Sequence, residues 1–234
     1  MKNLNELKVF IICRDKVEHL KQLIAWLKNN HFNNIYLLDN DSSYKPLLDF
    51  YQETDCKVLY LRRNTGASCP WSHRVVQQLA SDSFYIVSDP DVIPISECPS
   101  NWIEHLYALL IKYPQYTKVG FSLKIDDIPD HYMFQQEVVK WEMQFYEKEI
   151  ESGVYEAEVD TTFALYRPNT SRNNTIKSLR TGFPYQLRHM PWYSNSNKLN
   201  DEEKYYRTHS GQSIDHGTWS KTALPKYLLS KIKE

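Results

Sequence analysis

Short apolar runs and amphipathic segments alternate over the first 125 residues. The apolar runs lie in KVFIIC at 8–13, NIYLLDND at 34–41, KVLYLRRN at 57–64, FYIVSDPD at 84–91 and KVGFSLKI at 118–125. Within the first four runs the apolar residues are continuous rather than alternating, which is typical of strands covered on both faces of a parallel sheet. We therefore predict an α/β fold with a mostly parallel central sheet flanked by helices.

Apolar residues at helical spacing predict the helices that separate these strands. The predicted helices are the segment from Leu20 to Leu27, WSHRVVQQLA at 71–80, residues 99–113, and a long helix from Phe134 to Phe145. A further strand is predicted over VDTTFALYRP at 159–168, where β-branched and aromatic residues precede a proline. From Asn169 onward Asn, Ser, Thr and Arg are frequent, so we expect a loop-rich C-terminal part.

Polar residues follow each of the first four apolar runs. They are Arg14 and Asp15, then Asp39, Asn40 and Asp41, then Arg62, Arg63, Asn64 and Gly66, and finally Asp89 and Asp91. Ligands of open α/β sheets bind beyond the carboxyl ends of the strands. These residues are therefore expected to meet at one edge of the sheet and to form a binding site there.

Composition and charge narrow the class of protein. The chain has 28 Lys and Arg against 29 Asp and Glu, so no overall field attracts nucleic acid. Its four cysteines lack C-x-x-C spacing, which favours free thiols in a reducing compartment. The polar N-terminus argues against a signal peptide, and no apolar run is long enough to cross a bilayer. We expect one domain, residues 1–234, in the cytoplasm.

The C-terminal segment KTALPKYLLSKIKE, residues 221–234, has one apolar face surrounded by lysines. Such a segment could rest peripherally on an anionic membrane surface. The alternative is a helix packed on the domain.

Asp89 and Asp91 enclose Pro90 at the end of the fourth run. Carboxylates are hard oxygen ligands, suited to Mg²⁺ or Mn²⁺ in phosphate sites. Proline fixes its own φ and biases Asp89 toward an extended backbone, which would give the two carboxylates a defined separation. The alternative is an Asp-Pro turn in which Asp91 caps a backbone group.

In order along the chain, four motifs resemble those of nucleotide-sugar-dependent glycosyltransferases with the GT-A (Rossmann-like) fold, near family 2. The motifs are IICRDKVEHLKQLIAWL, DNDS, NTG and DPD. The resemblance covers residues 1–125 in motif order and extends more loosely to residue 193. It implies transfer of a sugar from a nucleotide diphosphate donor, a UDP-sugar, to a glycan or lipid-linked acceptor, with Mn²⁺ or Mg²⁺ and with inversion. The setting it implies is polysaccharide biosynthesis, with residues 1–125 as the nucleotide-sugar-binding half and 126–234 as the acceptor-side half.

The resemblance also implies roles for particular residues. Asp89 and Asp91 match the pair that holds the metal on the donor diphosphate, and Asp39 matches the residue that recognises the base or ribose, with Asp41 as the alternative. The remaining residues implied to line the nucleotide site are Cys13, Arg14, Asn64, Gly66 and Arg74. Arg74 lies further from the N-T-G motif than the arginine of this region often does in the family, so an exposed helix residue is the alternative.

Two later positions complete the site that the resemblance implies. Inversion requires a carboxylate that accepts the proton of the acceptor hydroxyl. Asp160 stands at the chain position where inverting members carry this base, with Asp126, Asp127 and Glu158 as alternatives. His189, in RHMPWY, is the expected further metal ligand; the competing histidines are His209 and His216.

Two other classes of protein remain open. Nucleotidyltransferases of sugar phosphates also place carboxylates and a metal on an α/β sheet, but they carry a glycine-rich basic loop near the N-terminus. This chain has six glycines, none before Gly66. A non-catalytic sugar- or nucleotide-binding relative is the other alternative.

Overall fold

The computed structural model describes residues 4–170 and 178–209. The strands in these ranges are β1 Lys8–Cys13, β2 Ile35–Asp39, β3 Lys57–Tyr60, β4 Tyr85–Ser88, β5 Val92–Pro94, β6 Lys118–Leu123, β7 Glu149–Glu151, β8 Val154–Glu156, β9 Phe163–Tyr166 and β10 Leu179–His189. The α-helices are α1 Glu18–Asn29, α2 Lys45–Glu53, α3 Cys69–Ser72, α4 Val75–Leu79, α5 Trp102–Lys112, α6 Gln135–Met143 and α7 Asp201–His209. No helix in these ranges is long and apolar enough to cross a membrane.

All ten described strands belong to one sheet, in the order β3-β2-β1-β4-β9-β6-β10-β8-β7, with β5 paired to β10. Parallel pairings join β1 to β2 and β4, β2 to β3, and β6 to β10. β9 runs antiparallel between β4 and β6. Strands β1 to β4, β6, β7 and β10 thus share one direction, and the predicted α/β fold with a mostly parallel central sheet is confirmed.

Both faces of the central strands are buried, which explains their continuous apolar runs. On β1, Val9 and Ile11 belong to one apolar cluster and Phe10 to another. The first cluster includes apolar residues of α1 and α5 with the fully buried Trp102, and the second includes residues of α3 and α4. A strand packed on both sides needs no polar face.

Two of the predicted helices are interrupted or shortened in the structure. The segment 71–80 is divided at His73 and Arg74 into α3 and α4, because Arg74 adopts left-handed backbone with φ +58°. The predicted long helix ends as an α-helix at Met143 and continues as a 3-10 turn over Gln144–Tyr146. Helical spacing of apolar residues does not reveal such local changes of backbone.

Several strands were missed or misjudged from the sequence. The predicted strand 159–168 contracts to β9, and the loop before it contains Asp160. The expected loop-rich C-terminal part contains β10, which was not predicted because Gly182 and Pro184 interrupt its pattern. The pairing of β10 with β6 shifts register between Thr181 and Gln186, so the strand accommodates both residues. The short strands β5, β7 and β8 were not predicted either.

Candidate functional site

The carboxyl ends of β1 and β2 lie side by side, with Cys13 opposite Asp39, and β4 flanks β1 on the other side. The polar residues after these three strands therefore meet at one edge of the sheet. β10 reaches the same edge from a distant part of the chain, because His189 pairs with Val92 of β5, the residue after Asp91. This edge is the candidate site.

Arg14 and Asp15 hold the loop after β2 in place. The buried Asp15 carboxylate accepts hydrogen bonds at Oδ1 from the backbone N–H groups of Ser43 (2.6 Å) and Tyr44 (2.8 Å). The Arg14 guanidinium donates to the backbone carbonyl of Asn40 at 2.7 Å. Arg14, which was predicted to line the nucleotide site, thus lies at this edge of the sheet and also stabilises the loop after β2.

The side chains of Cys13 and Asp39 are directed into the protein. The Cys13 thiol is fully buried, and burial followed by the charge of Asp39 raises its pKa. The Asp39 carboxylate, 4% exposed, accepts from the Tyr51 hydroxyl at 3.1 Å and from the Ser42 N–H at 3.3 Å. The side chain of Asp41 is 57% exposed. Of the two aspartates considered for base or ribose recognition, Asp41 is therefore the accessible one. Because the Cys13 side chain is buried, we expect it to make no contact with a ligand.

Asn40, which sequence reasoning did not single out, fixes the N-T-G turn to the end of β2. Its Nδ2 donates to Asn64 Oδ1 (2.9 Å) and to the carbonyl of Gly66 (3.1 Å), and its Oδ1 accepts from the Thr65 N–H (3.0 Å). Gly66 has φ +61°, a left-handed conformation that favours glycine. Arg74, which the resemblance implied to line the nucleotide site, is exposed between α3 and α4.

Asp89 joins the end of β4 to the segment that contains the predicted base. The Thr161 hydroxyl donates to Asp89 Oδ1 at 2.8 Å, and the Asp89 N–H donates to the Thr162 carbonyl at 3.1 Å. Asp160, the residue before Thr161, has an exposed side chain. Asp160 is thus the neighbour in sequence of a residue that contacts Asp89.

Asp91 forms a buried ion pair with Lys16, a residue that the sequence did not indicate. Lys16 Nζ lies 2.9 Å from Asp91 Oδ2 and 3.2 Å from Glu203 Oε1, and the Lys16 side chain is 5% exposed. Burial alone would raise the Asp91 pKa, but the charge of Lys16, together with its hydrogen bond, is the main cause that lowers it to about 2. For Lys16, burial is outweighed by Asp91 and Glu203, which raise its pKa. Both groups are therefore charged at neutral pH.

His189 lies beside the same carboxylate. Its Nε2 is 3.7 Å from Asp91 Oδ1, and its ring packs edge-on against Trp192 with centroids 4.8 Å apart. Burial lowers the His189 pKa, so the imidazole is neutral at pH 7. Asp91 and, more weakly, Asp160 act in the opposite direction on that pKa. Within the described ranges, His189 Nδ1 is buried with no hydrogen-bond partner.

The predicted metal ligands do not form a fitting donor set as they are arranged. Among the described residues, no group of three His, Cys, Asp or Glu side chains could hold a metal ion. The Lys16 ammonium contacts Asp91 Oδ2, which a metal would need. A divalent ion about 4 Å from this ammonium would be repelled by about 8 kcal/mol at an effective dielectric constant of about 20. The Mn²⁺ or Mg²⁺ site remains a prediction.

Of the two competing histidines, the structure describes His209. His209 is exposed at the end of α7, where its ring stacks on Tyr205 with centroids 3.8 Å apart. His216 and the C-terminal segment 221–234 lie outside the described residues.

The other candidate bases have different surroundings from Asp160. Asp127 pairs with the Arg188 guanidinium and accepts from the Tyr193 hydroxyl, and these contacts outweigh burial and lower its pKa. Asp126 pairs with Lys124 at 2.6 Å. Glu158 has an exposed side chain. A carboxylate with a lowered pKa is a weaker base, which argues against Asp127 in that role.

A buried ion pair joins Arg180 to Glu142. Arg180 NH1 donates to Glu142 Oε2 at 2.7 Å, and the guanidinium lies over the Phe145 ring at 3.9 Å. Burial raises the Glu142 pKa, Arg180 opposes this, and Asp160 adds to it. The pair joins α6 to β10 across 38 positions of sequence, and no local motif indicates it.

Helix α7 packs across the loops that form the edge. Glu202 Oε2 accepts from the N–H groups of Val17 (2.6 Å) and Glu18 (3.1 Å) at the start of α1. The Tyr205 hydroxyl donates to Ser43 Oγ at 3.1 Å, and its ring packs on Tyr44. No local sequence pattern indicates that this acidic helix contacts the site.

No protein-family model matches the chain, and no curated protein matches it. One similar solved structure is UDP-glucose pyrophosphorylase with UDP-glucose, at 10% identity and a TM-score of 0.45, covering 86% of this chain and 99% of that one. Another is glucosyl-3-phosphoglycerate synthase from Mycobacterium tuberculosis with Mn²⁺, UDP and glucosyl-3-phosphoglycerate, at 10% and 0.41, covering 69% and 57%. A third is CMP:2-keto-3-deoxy-manno-octonic acid synthetase with CTP, at 8% and 0.37, covering 88% and 83%.

These proteins were solved with UDP-glucose, UDP or CTP. At such identities and TM-scores, however, an assignment of function depends on the chain's own residues.

Proposed function

We propose that the chain is a glycosyltransferase of the hexosyltransferase type, which moves a sugar from a nucleotide diphosphate donor to a glycan or lipid-linked acceptor with inversion. The observation that carries this proposal is the hydrogen bond from Thr161 to Asp89. It joins the segment of the predicted base to the carboxylates at the end of β4. Donor-side and acceptor-side groups therefore belong to one site.

The groups on the donor side suit a nucleotide. The exposed Asp41 could accept hydrogen bonds from a base or ribose, and the turn of Asn64 and Gly66 is held rigidly beside it by Asn40. Arg14 and Arg74 could face the phosphates. Residues 1–125 would form this donor half, and residues 126–234 the acceptor half.

Asp160 would serve as the base on the acceptor side. In the reaction, the bond between the anomeric carbon and the diphosphate oxygen breaks, and its electron pair leaves with the diphosphate. The acceptor oxygen bonds to the anomeric carbon, and its proton passes to the Asp160 carboxylate. Positive charge near the departing diphosphate would lower the barrier. The divalent metal predicted for that task would have to displace Lys16 from Asp91.

The test is Asp160→Asn, with Glu158→Gln as the matched control on a neighbouring exposed carboxylate. The release of the nucleoside diphosphate would be measured, because it reports both transfer and slow hydrolysis of the bound nucleotide sugar. We expect Asp160→Asn to bind donor normally and to lose turnover by about 10²-fold or more, while Glu158→Gln retains it. Normal turnover in Asp160→Asn would reject the assigned base.

A nucleotidyltransferase remains the second candidate function, because it would use the same edge of the sheet. It would release pyrophosphate from a nucleoside triphosphate and a sugar phosphate. Product analysis separates the two reactions directly.

A further inference from the structure

We propose that Lys16 is the resident cation of the Asp91 site and that the chain binds its nucleotide-sugar donor without a divalent metal. This inference deepens the proposed function and rests on it for the identity of the donor. It replaces the metal predicted from the sequence by a side chain of the protein itself.

The surroundings of the Lys16 ammonium are those of a fixed cation. Nζ lies 2.9 Å from Asp91 Oδ2, 3.2 Å from Glu203 Oε1 and 4.4 Å from the centre of the Tyr206 ring. An ammonium group has three hydrogen-bond donors and no acceptor. Two carboxylates and an aromatic face thus surround it, and Lys16 as a whole is 4% exposed.

The partner of Lys16 on α7 is held close to the backbone of Lys16. Glu202, the neighbour of Glu203, accepts hydrogen bonds from the N–H groups of Val17 and Glu18. Lys16 and Glu203 are therefore tied together through the backbone as well as through their charges. Displacing an ammonium held in this way would leave two buried carboxylates without their cation, which costs free energy.

The charges of the cluster are already balanced. Arg207 Nε lies 3.7 Å from Glu203 Oε2. Lys16 and Arg207 together match the charges of Asp91 and Glu203. A divalent ion would add two positive charges that these four side chains do not neutralise.

The first test is a titration with Mn²⁺ alone, measured by calorimetry and by the electron paramagnetic resonance signal of free Mn²⁺. The proteins are the wild type, Lys16→Ala, Lys16→Arg and Lys45→Ala. Lys45→Ala is the control, because it also removes an ion-paired lysine, but an exposed one that pairs with Asp49.

We expect saturable Mn²⁺ binding in Lys16→Ala, at least about tenfold tighter than in the other three proteins, because Asp91 and Glu203 then lose their cation. Equal Mn²⁺ affinity in the wild type and Lys16→Ala would overturn the proposal. If Lys16→Ala does not fold, the wild type and Lys16→Arg decide, because tight, saturable binding in either would overturn it.

The second test measures the thermal shift of the wild type with UDP-, GDP-, CMP- and dTDP-sugars, in EDTA and in Mn²⁺. We expect the effective sugar nucleotide to raise the Tm equally in both conditions. A shift in Mn²⁺ alone would overturn the role of Lys16 and leave the glycosyltransferase proposal standing. No shift in either condition would contradict the proposed function, while the Mn²⁺ titration would still decide the role of Lys16.

Discussion

Replacing Lys16 by methionine should destabilise the protein in a pH-dependent way. Methionine retains most of the length of the side chain but removes the charge from beside Asp91 and Glu203. The Asp91 pKa of about 2, against an ordinary 3.8, corresponds to about 2.4 kcal/mol of preference for the charged form at about 1.4 kcal/mol per pKa unit. Breaking a buried pair typically costs about 3–5 kcal/mol. We therefore expect a loss of about 3 kcal/mol at pH 7.

The sign of the pH dependence differs between the two proteins. In the wild type the Asp91 pKa is lowered on folding, so its contribution is complete above 3.8 and is lost as pH falls toward 2. In Lys16→Met burial dominates, so the Asp91 pKa should rise above its unfolded value. The folded variant then binds a proton more readily than the unfolded chain, and its stability increases as pH falls from 7 to 5. The deficit relative to wild type should shrink accordingly.

Denaturant unfolding followed by circular dichroism at pH 7 and pH 5 measures both effects. Lys45→Met is the control, because its exposed pair with Asp49 should be worth about 0.5 kcal/mol or less. A double-mutant cycle with Asp91→Asn should show coupling, since Lys16→Met costs less once the Asp91 charge is gone. A deficit under about 0.5 kcal/mol at pH 7, or one that grows on acidification, would refute the reasoning.

Three further outcomes follow from single contacts. Asn40→Ala should weaken donor binding and cost about 1–2 kcal/mol in denaturant unfolding, because the N-T-G turn loses its anchors; unchanged donor affinity would contradict this. Gly120→Ala should destabilise by about 1–3 kcal/mol or more in the same assay, since its Cβ would lie 2.6 Å from the Phe163 carbonyl; wild-type stability would contradict the close packing. Glu142→Gln should cost about 3 kcal/mol by leaving the buried Arg180 charge unpaired, and a loss under about 1 kcal/mol would show that the pair is dispensable.

The sequence predicts the central strands well for a physical reason. β1, β2 and β4 are covered on both faces, so their apolar runs are continuous and easily recognised. β10 was missed because Gly182 and Pro184 resemble a turn, and only its pairing with β6, β8 and β5 shows that the chain remains extended.

The candidate site was predictable only in part. Polar residues after parallel strands had to meet at one edge, and the structure brings them together there. His189 lies beside Asp91 as the resemblance implied, although its role remains a prediction. The Lys16 pair could not be foreseen, because its partner Glu203 comes from a helix 187 positions later in the chain. Long-range ion pairs leave no local pattern in a sequence.

Hydrogen exchange with and without the effective nucleotide sugar tests the central claim most directly. If the donor binds at this edge of the sheet, it should slow exchange of backbone amides in peptides covering residues 39–44, 64–68 and 89–91, at the carboxyl ends of β2, β3 and β4. Peptides from α5, which contains none of these strand ends, should be unaffected. Protection confined to regions outside these strand ends would contradict the account.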